Sequence, residues 1–196
     1  MAFALRSMVW RAIAFFVVLE AMLIPAILYW PDFQKHIAQI RGLAPLPVLR
    51  NIVDTLEQGG VFAYVTGQHF FKGCNTLGTA AAVLLAAGAV AGESQRGTLE
   101  IWLARPVSRR RMLSERFVQG ALAVVVPVFA TTLTIPALVE HIGTHIELAP
   151  LLLSATQECA LLLAIYSLTF FLSTVARAPL GIAFAVLCFT IFQFAV

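Results

Sequence analysis

Charged residues are scarce in this chain of 196 residues. Asp, Glu, Lys and Arg make up 12% of it, against about a quarter of an ordinary soluble domain. Hydrophobic residues make up 60%, and the mean hydropathy is +0.89. This composition excludes a disordered tail and almost every class of soluble enzyme. It predicts an integral membrane protein with several spans.

Cysteine is also scarce, and its placement excludes a disulfide scaffold. The three cysteines, Cys74, Cys159 and Cys188, all lie in apolar stretches. An odd count without a loop cysteine provides neither a disulfide framework nor a metal-ligand spacing. We therefore interpret the cysteines as small buried hydrophobic residues and expect no metal site.

The sequence contains no Gly-x-x-x-x-Gly-Lys-Ser/Thr segment, the loop that cradles nucleotide phosphates. We therefore do not expect this chain to bind and hydrolyse ATP by that route.

Five apolar runs predict an all-α polytopic transmembrane helix bundle, a single domain over 1–196. The predicted spans are about 9–29, 71–91, 117–139, 151–175 and 179–196. A helix of about 20 residues rises roughly 30 Å, the thickness of a bilayer core. The first run is too long for the apolar part of a signal peptide, so we expect a retained signal anchor.

A shorter segment, 46–58, predicts an amphipathic helix on the outer membrane surface. Its apolar residues recur at i, i+3, i+4 and i+7: Leu49, Ile52, Val53 and Leu56. Charged residues occupy the other face, so the segment is too polar to span. Gly59 and Gly60 should end this helix.

The positive charges predict that the N-terminus is cytoplasmic. With that orientation, nine of the 13 basic residues lie in cytoplasmic segments and four in outer segments. Six of the 11 arginines fall between Arg96 and Arg116, in the loop that joins the second and third spans. That loop, 92–116, therefore faces the cytoplasm in this interpretation.

The loop contains a short predicted helix, 98–104. Gly97 ends the helix that emerges from the second span, and Thr98 is a favourable N-cap residue. Glu100 suits the positive end of the helix dipole. Pro106 should stop the helix, because proline disfavours helical backbone in the residue before it.

This short helix is apolar although it lies in a cytoplasmic loop. It presents Leu99, Ile101, Trp102 and Leu103. These side chains must be buried against lipid, against their own bundle or in a groove of another protein. Docking of a helix into a groove is a common solution.

Three arginines follow Ser108, the predicted N-cap of the third span. Cations at a helix N-terminus are unfavourable by about 0.3–1 kcal/mol each, so helix stability does not account for them. Two roles stay open. The arginines can attract anionic lipid at about 1 kcal/mol per charge, or they can dock on an acidic partner surface.

The loop resembles that of a known family. Glu-x-x-x-Gly-Thr-Leu-Glu over 93–100, a short apolar helix and a Pro-Val-Ser-Arg-Arg turn over 106–110 resemble the cytoplasmic loop of ABC-2 type permeases, the membrane subunits of ABC exporters. In that family the segment is a coupling helix that seats in a groove of the ATPase subunit. The resemblance is close over 93–117. It implies ATPase-coupling roles for Glu93, Gly97, Thr98, Leu99, Glu100, Ile101, Trp102, Leu103, Arg105, Pro106, Ser108 and Arg109.

The resemblance also implies a function and partners. It implies an export permease in a plasma membrane, in a bacterium the inner membrane. The permease pairs with an ABC ATPase subunit that binds the ATP, and this chain is expected to bind no cofactor and no nucleic acid itself. One unit makes half a pathway, so a homodimer or a related heterodimer is implied. Family members usually have six spans, whereas five are predicted here. Either the chain has five spans, or a sixth helix is missing.

Two rival functions come from polar residues and from the span count. Glu20 and Glu158 lie inside predicted spans, where carboxyl groups are costly. They either join helices by hydrogen bonds or line a pathway. An intramembrane enzyme would use them as acid or base, with His141 and His145 as possible ligands. An accessory or scaffold subunit without transport of its own is the other rival.

Two further polar segments have structural interpretations. His141 and His145 have i, i+4 spacing, but Gly143 interrupts them, so we expect a solvated outer loop. The Thr131-Thr132-x-Thr134 cluster in the third span should hydrogen-bond to carbonyls of its own helix, near Pro127 and Pro136.

Overall fold

The chain folds into a bundle of helices. The computed structural model describes the backbone of residues 2–43, 47–98, 100, 104 and 108–195, and within that part no residue is in a strand. It is 91% helical. The elements are α1 (Ala2–Leu43), α2 (Pro47–Thr66), a π-helix (Gly67–Leu77), α3 (Gly78–Ala89), α4 (Ala91–Gln95), α5 (Arg109–His141), α6 (Leu148–Val175) and α7 (Pro179–Ala195).

Within the described residues, four helical stretches are long and apolar enough to cross a membrane. They are Met8–Ile37, Arg50–Ala89, Arg109–His141 and Leu148–Val175, and α7 contains a shorter apolar helix. This confirms the predicted all-α polytopic bundle. The chain is an integral membrane protein.

The core lies where the long helices meet. The most extensive helix pairs are α1 with α5 and α3 with α6, and α7 packs on α3 and α6. On α1, Leu19, Leu23 and Ile27 recur once per turn and are buried. Val17 and Leu28 lie on other faces of α1 and are about half exposed. Apolar side chains exposed in this way suit a lipid surrounding rather than water.

The second predicted span differs most from the structure. Residues 47–89 are helical almost throughout, so the helical part of this span begins well before residue 71. Segment 46–58 falls largely in the first part of α2, where Val53 is buried. At Gly60 the backbone leaves the helical region (φ 58°, ψ −146°). The predicted break at Gly59 and Gly60 therefore separates two helical pieces of one element.

One aromatic residue has a different environment from the one that its sequence position predicts. Trp30 ends the first apolar run, and an indole at such a boundary suits the headgroup level of the membrane. In the structure its side chain is buried, with its ring centroid 4.9 Å from that of Tyr64 in α2. Phe33 lies 5.1 Å from the same tyrosine ring. Packing against the second helix therefore outweighs the interfacial preference of the indole.

Candidate functional site

The predicted coupling loop begins at a break in the second membrane helix. α3 ends at Ala89, and α4 begins at Ala91. Val90 lies between them with φ −119° and ψ −51°, so the regular hydrogen-bonding pattern stops here. Buried backbone groups released by such a break must find other partners.

The Ser173 hydroxyl of α6 is the hydrogen-bond partner of three of these backbone groups. Its Oγ accepts hydrogen bonds from the backbone N–H groups of Val90 and Ala91, each at 3.1 Å. The same hydroxyl donates to the carbonyl oxygen of Ala87 at 3.1 Å. Ser173 is 1% exposed, so water does not compete with these bonds. One buried hydroxyl therefore fastens the break to α6.

Arg116 of α5 fastens the other side of the break. Its guanidinium donates to the carbonyl oxygen of Ala89. It also forms an ion pair with Glu93 of α4, with Nη1 3.7 Å from Oε1. The two side chains are 20% and 23% exposed, so this pair is better shielded from water than an ordinary surface pair. α4 is thus tied to α5 as well as to α6.

The end of α4 is closed by a glycine turn. Gly97 has φ +70°, which favours glycine because it has no Cβ. The N–H of Thr98 donates to the carbonyl of Glu93 at 3.1 Å, and the N–H of Gly97 donates to that of Ser94 at 3.2 Å. This pair of bonds is the Schellman arrangement. Gly97 therefore ends the helix where the sequence predicted.

The Thr98 hydroxyl has a different hydrogen-bond partner from the one that the sequence predicted. The sequence suggested that its hydroxyl caps the helix that follows it. In the structure the hydroxyl donates backwards, to the carboxylate and the carbonyl oxygen of Glu93. Glu93 therefore holds Thr98 and Arg116 at once. Its carboxylate is the point where α4, the loop and α5 meet.

The remaining predicted coupling residues are described only in part. Glu100 is helical and exposed, and its carbonyl accepts a hydrogen bond from the N–H of Ala104 at 3.0 Å. Ser108 is the N-cap of α5, as predicted, and its Oγ accepts from the N–H of Arg111 at 3.4 Å. Arg109 is exposed. Outside the described residues lie Leu99, Ile101, Trp102, Leu103, Arg105 and Pro106.

The two intramembrane carboxyl groups have separate environments. Glu20 Oε1 accepts a hydrogen bond from Thr134 Oγ1 at 2.7 Å, which joins α1 to α5. Glu158 Oε1 is buried, and within the described residues it has no hydrogen-bond partner. No hydrogen bond between Glu20 and Glu158 occurs in that part of the chain. The structure therefore does not bring them together as an acid–base pair.

The outer histidines do not share a helix face. His141 ends α5, and Gly143 with φ +76° turns the chain before His145. His145 Nδ1 lies 3.6 Å from Glu140 Oε1, and both side chains are well exposed. Among residues 2–43, 47–98, 100, 104 and 108–195, no group of three potential metal ligands was found.

A buried polar cluster lies between the π-helix and α5. His69 Nε2 is 3.4 Å from the hydroxyls of Thr131 and Thr132. Cys74 Sγ lies 3.6 Å from the same nitrogen, and all four side chains are buried. The two threonines also donate to carbonyls one turn earlier in α5, as the sequence predicted. This cluster joins the second and third spans.

Sequence reasoning missed two of the residues that tie α4 to the bundle. Ser173 is one of several serines in α6, and its sequence context does not distinguish it from Ser167. Arg116 was grouped with the arginines that set orientation. Both roles depend on contacts with residues far away in the chain, so a single sequence carries no local signal for them.

A comparison with family models gives one match. The model described as ABC-2 family transporter protein matches residues 6–196, nearly the whole chain. This confirms the resemblance seen in the loop. No curated protein and no solved structure matches the chain.

Proposed function

This chain belongs to the ABC-2 transporter family, and we propose that it is an export permease coupled mechanically to an ATPase in a separate chain. Family membership makes it a membrane permease of an ABC transporter and implies an ABC ATPase as its partner. Export, the coupling route and the assembly described below are the proposal.

The observation that supports the proposal is the set of contacts that hold α4 against α5 and α6. This five-residue helix leads directly into the loop that resembles a coupling helix. Ser173 ties its start to α6, and Arg116 ties it to α5. A displacement of the loop would therefore move α3, α5 and α6 together rather than bend one helix. Rigid elements connected by short bonds are what mechanical coupling requires.

The apolar residues of the loop would supply the docking surface. Leu99, Ile101, Trp102 and Leu103 would seat in a groove of the ATPase, as amphipathic helices do in other complexes. Arg105, Pro106, Ser108 and Arg109 would hold the junction with α5. In this scheme Glu93, Gly97 and Thr98 connect the docked helix to the bundle.

The proposed assembly contains two permease units and two ATPase units. ATP would bind to the ATPase, and this chain would contribute no cofactor and no covalent chemistry. A second copy or a related permease would complete the pathway. We place the assembly in a plasma membrane, in a bacterium the inner membrane, with the arginine-rich end of the bundle in the cytoplasm.

Trp102→Ala tests the proposed docking. We expect the tagged wild-type chain, extracted in mild detergent from its native cells, to retain an ATPase at a near one-to-one ratio. We expect Trp102→Ala to lose most of it, because truncating a buried aromatic anchor commonly costs 2 kcal/mol or more, about 30-fold in affinity. The measurement is quantitative mass spectrometry of the co-purified proteins.

Trp10→Ala is the matched control. It makes the same change on α1, where the Trp10 side chain is 60% exposed. This variant should keep the ATPase. Recovery of well-folded wild-type chain alone would contradict the proposed coupling and favour an intramembrane enzyme or an incomplete permease. Equal ATPase retention by both variants would remove residues 98–104 from the proposed interface.

A further inference from the structure

A cavity of about 430 Å³ lies beside the fastened α4, at the arginine-rich end of the bundle. Five helices line it: α1, α3, α4, α5 and α6. Its volume is within the range of small-molecule sites, about 300–1,000 Å³. None of the coupling roles proposed above uses this space.

The charged lining of the cavity is unbalanced. It contains three arginines, Arg11, Arg96 and Arg116, and two glutamates, Glu93 and Glu115. Glu93 pairs with Arg116 at 3.7 Å, and Glu115 pairs at 2.9 Å with Arg111, which does not line the cavity. Within the described part of the chain, Arg11 and Arg96 have no acidic partner. Two guanidinium groups, one on α1 and one at the turn that follows α4, are therefore available to an anion.

The rest of the lining is largely apolar. Leu85 and Ala89 of α3, Ala123 of α5, and Met8 and Met112 contribute hydrocarbon surface. A site with two guanidinium groups beside such surface suits a ligand that is anionic at one end and apolar at the other. Guanidinium groups bind phosphate oxygens with two parallel hydrogen bonds, which an ammonium does not match.

The cavity lies near the first turns of two helical stretches that are long and apolar enough to cross a membrane. Met8 begins one membrane-crossing stretch and Arg109 begins another. Arg11 and Met112 each lie three residues further along, about 5 Å at 1.5 Å per residue. With the arginine-rich end of the bundle at the membrane surface, as the charge distribution predicts, the charged lining would lie near the headgroups and the apolar lining would lie towards the bilayer core.

We propose that this cavity binds the phosphate headgroup of an anionic membrane amphiphile, with Arg11 and Arg96 on the phosphate. The proposal rests on the chain's being a membrane protein and does not depend on the ATPase coupling proposed above. Its test therefore needs only the full chain in lipid. The failure of one proposal would leave the other standing.

The test measures retained lipid. The full chain is reconstituted in phosphatidylcholine nanodiscs that contain a minor fraction of phosphatidylglycerol, and the phosphatidylglycerol bound per chain after mild extraction is counted by native mass spectrometry. We expect the double variant Arg11→Gln/Arg96→Gln to retain at least about fivefold less than wild type. The loss is expected because each of the two arginines contributes charge-assisted hydrogen bonds to the phosphate, which are about twice as strong as neutral ones.

The matched control removes two other arginines from the same end. Arg6 and Arg177 are exposed, as Arg11 and Arg96 are, but they do not line the cavity. Arg6→Gln/Arg177→Gln should retain lipid to within about twofold of wild type, because exposed arginines outside the cavity act on the lipid only through long-range attraction, which physiological salt screens. Equal losses in the two double variants would mean general attraction and would overturn the proposal. Absence of retained phosphatidylglycerol in the wild type would overturn it as well.

Competition with inorganic phosphate distinguishes a lipid site from a free-anion site. Inorganic phosphate, added at the same concentration as phosphatidylglycerol, should not displace the lipid, because the apolar lining contributes to the affinity for the lipid. Displacement would identify a free-anion site and would overturn the amphiphile assignment. The single variants Arg96→Glu and Arg177→Glu repeat the comparison by charge reversal, in case the double variant does not fold. Equal losses in these two would again contradict the proposal.

Discussion

At the scale of single residues, the hydroxyl of Ser173 has the largest structural consequence. It bonds two N–H groups and one carbonyl at the break between α3 and α4, all in a buried position. A regular helix would satisfy these groups internally. Here the break exists because a neighbouring helix supplies the partners, so the geometry of the loop depends on α6.

Ser173→Ala should therefore destabilise the bundle. It removes the partners of three backbone groups, and a buried group left unsatisfied costs about 1–3 kcal/mol. Because three groups are affected, we expect the free energy of unfolding, measured by SDS titration in mixed micelles, to fall by at least about 1 kcal/mol. Ser167→Ala is the control, because among the described residues the exposed Ser167 hydroxyl bonds only to Leu163 of its own helix. Equal losses in both variants would show that Ser173 does not fasten the break.

Other single residues were predictable because their roles are local. Ser108 as an N-cap and Gly97 as a helix end follow from the chemistry of the neighbouring residues. Glu20 was open between a bundle contact and a pathway, and its bond to Thr134 at 2.7 Å is a bundle contact. Thr98 was interpreted as a forward cap, whereas Glu93 competes for its hydroxyl from one turn earlier.

At the scale of elements, the non-helical backbone of Gly60 ends the amphipathic piece of α2. Its φ of 58° and ψ of −146° lie in a region that is essentially restricted to glycine. A Cβ at this position would meet no atom within 4 Å. Any cost of a side chain here is therefore backbone strain and not crowding.

Gly60→Ala should lower the free energy of unfolding by about 1–3 kcal/mol, the usual cost of a residue held in such a region. Gly67→Ala is the matched control. Gly67 begins the π-helix, its φ is not positive, and a Cβ there would also meet no atom within 4 Å. We expect that variant to be neutral or slightly more stable, because alanine favours helical backbone. An undiminished free energy of unfolding for Gly60→Ala in the same SDS titration would contradict backbone strain at this position.

The π-helix was not predictable from the sequence. Apolar periodicity separates helix from strand, but it does not distinguish a wider helical turn over eleven residues. In the structure this segment puts His69 against the threonines of α5. The wider turn is supported by contacts with another span, which a local pattern does not record.

At the scale of the whole molecule, the distribution of arginines predicts the orientation in the membrane. Nine of the 13 basic residues belong to segments on one side, and the outer loop between α5 and α6 contains none. Basic residues resist transfer across the membrane, so this side is predicted to be cytoplasmic.

Cysteine labelling in intact cells tests this orientation. In a Cys188→Ser background, where the remaining Cys74 and Cys159 are buried, we expect a membrane-impermeant maleimide to label His145→Cys but not Ser114→Cys. Both positions are exposed, so both should label after permeabilisation. Labelling of Ser114→Cys in intact cells would reverse the predicted topology. It would also place the cavity lined by Arg11 and Arg96 on the outer side of the membrane.

The sequence alone determined the class of the molecule, most of its helical spans, the family resemblance and the local helix ends. These depend on hydropathy and charge summed along one helix, or on neighbours within one turn. The tertiary structure decided which residues act together. The Ser173 hydroxyl bonds to Ala91, which is 82 positions earlier in the chain, and the Arg116 guanidinium bonds to Ala89, which is 27 positions earlier. The cavity that we propose binds a lipid headgroup is lined by five helices. Such contacts are determined by how the helices pack, because a hydrogen bond or an ion pair depends on separations of a few ångströms that the order of residues does not specify.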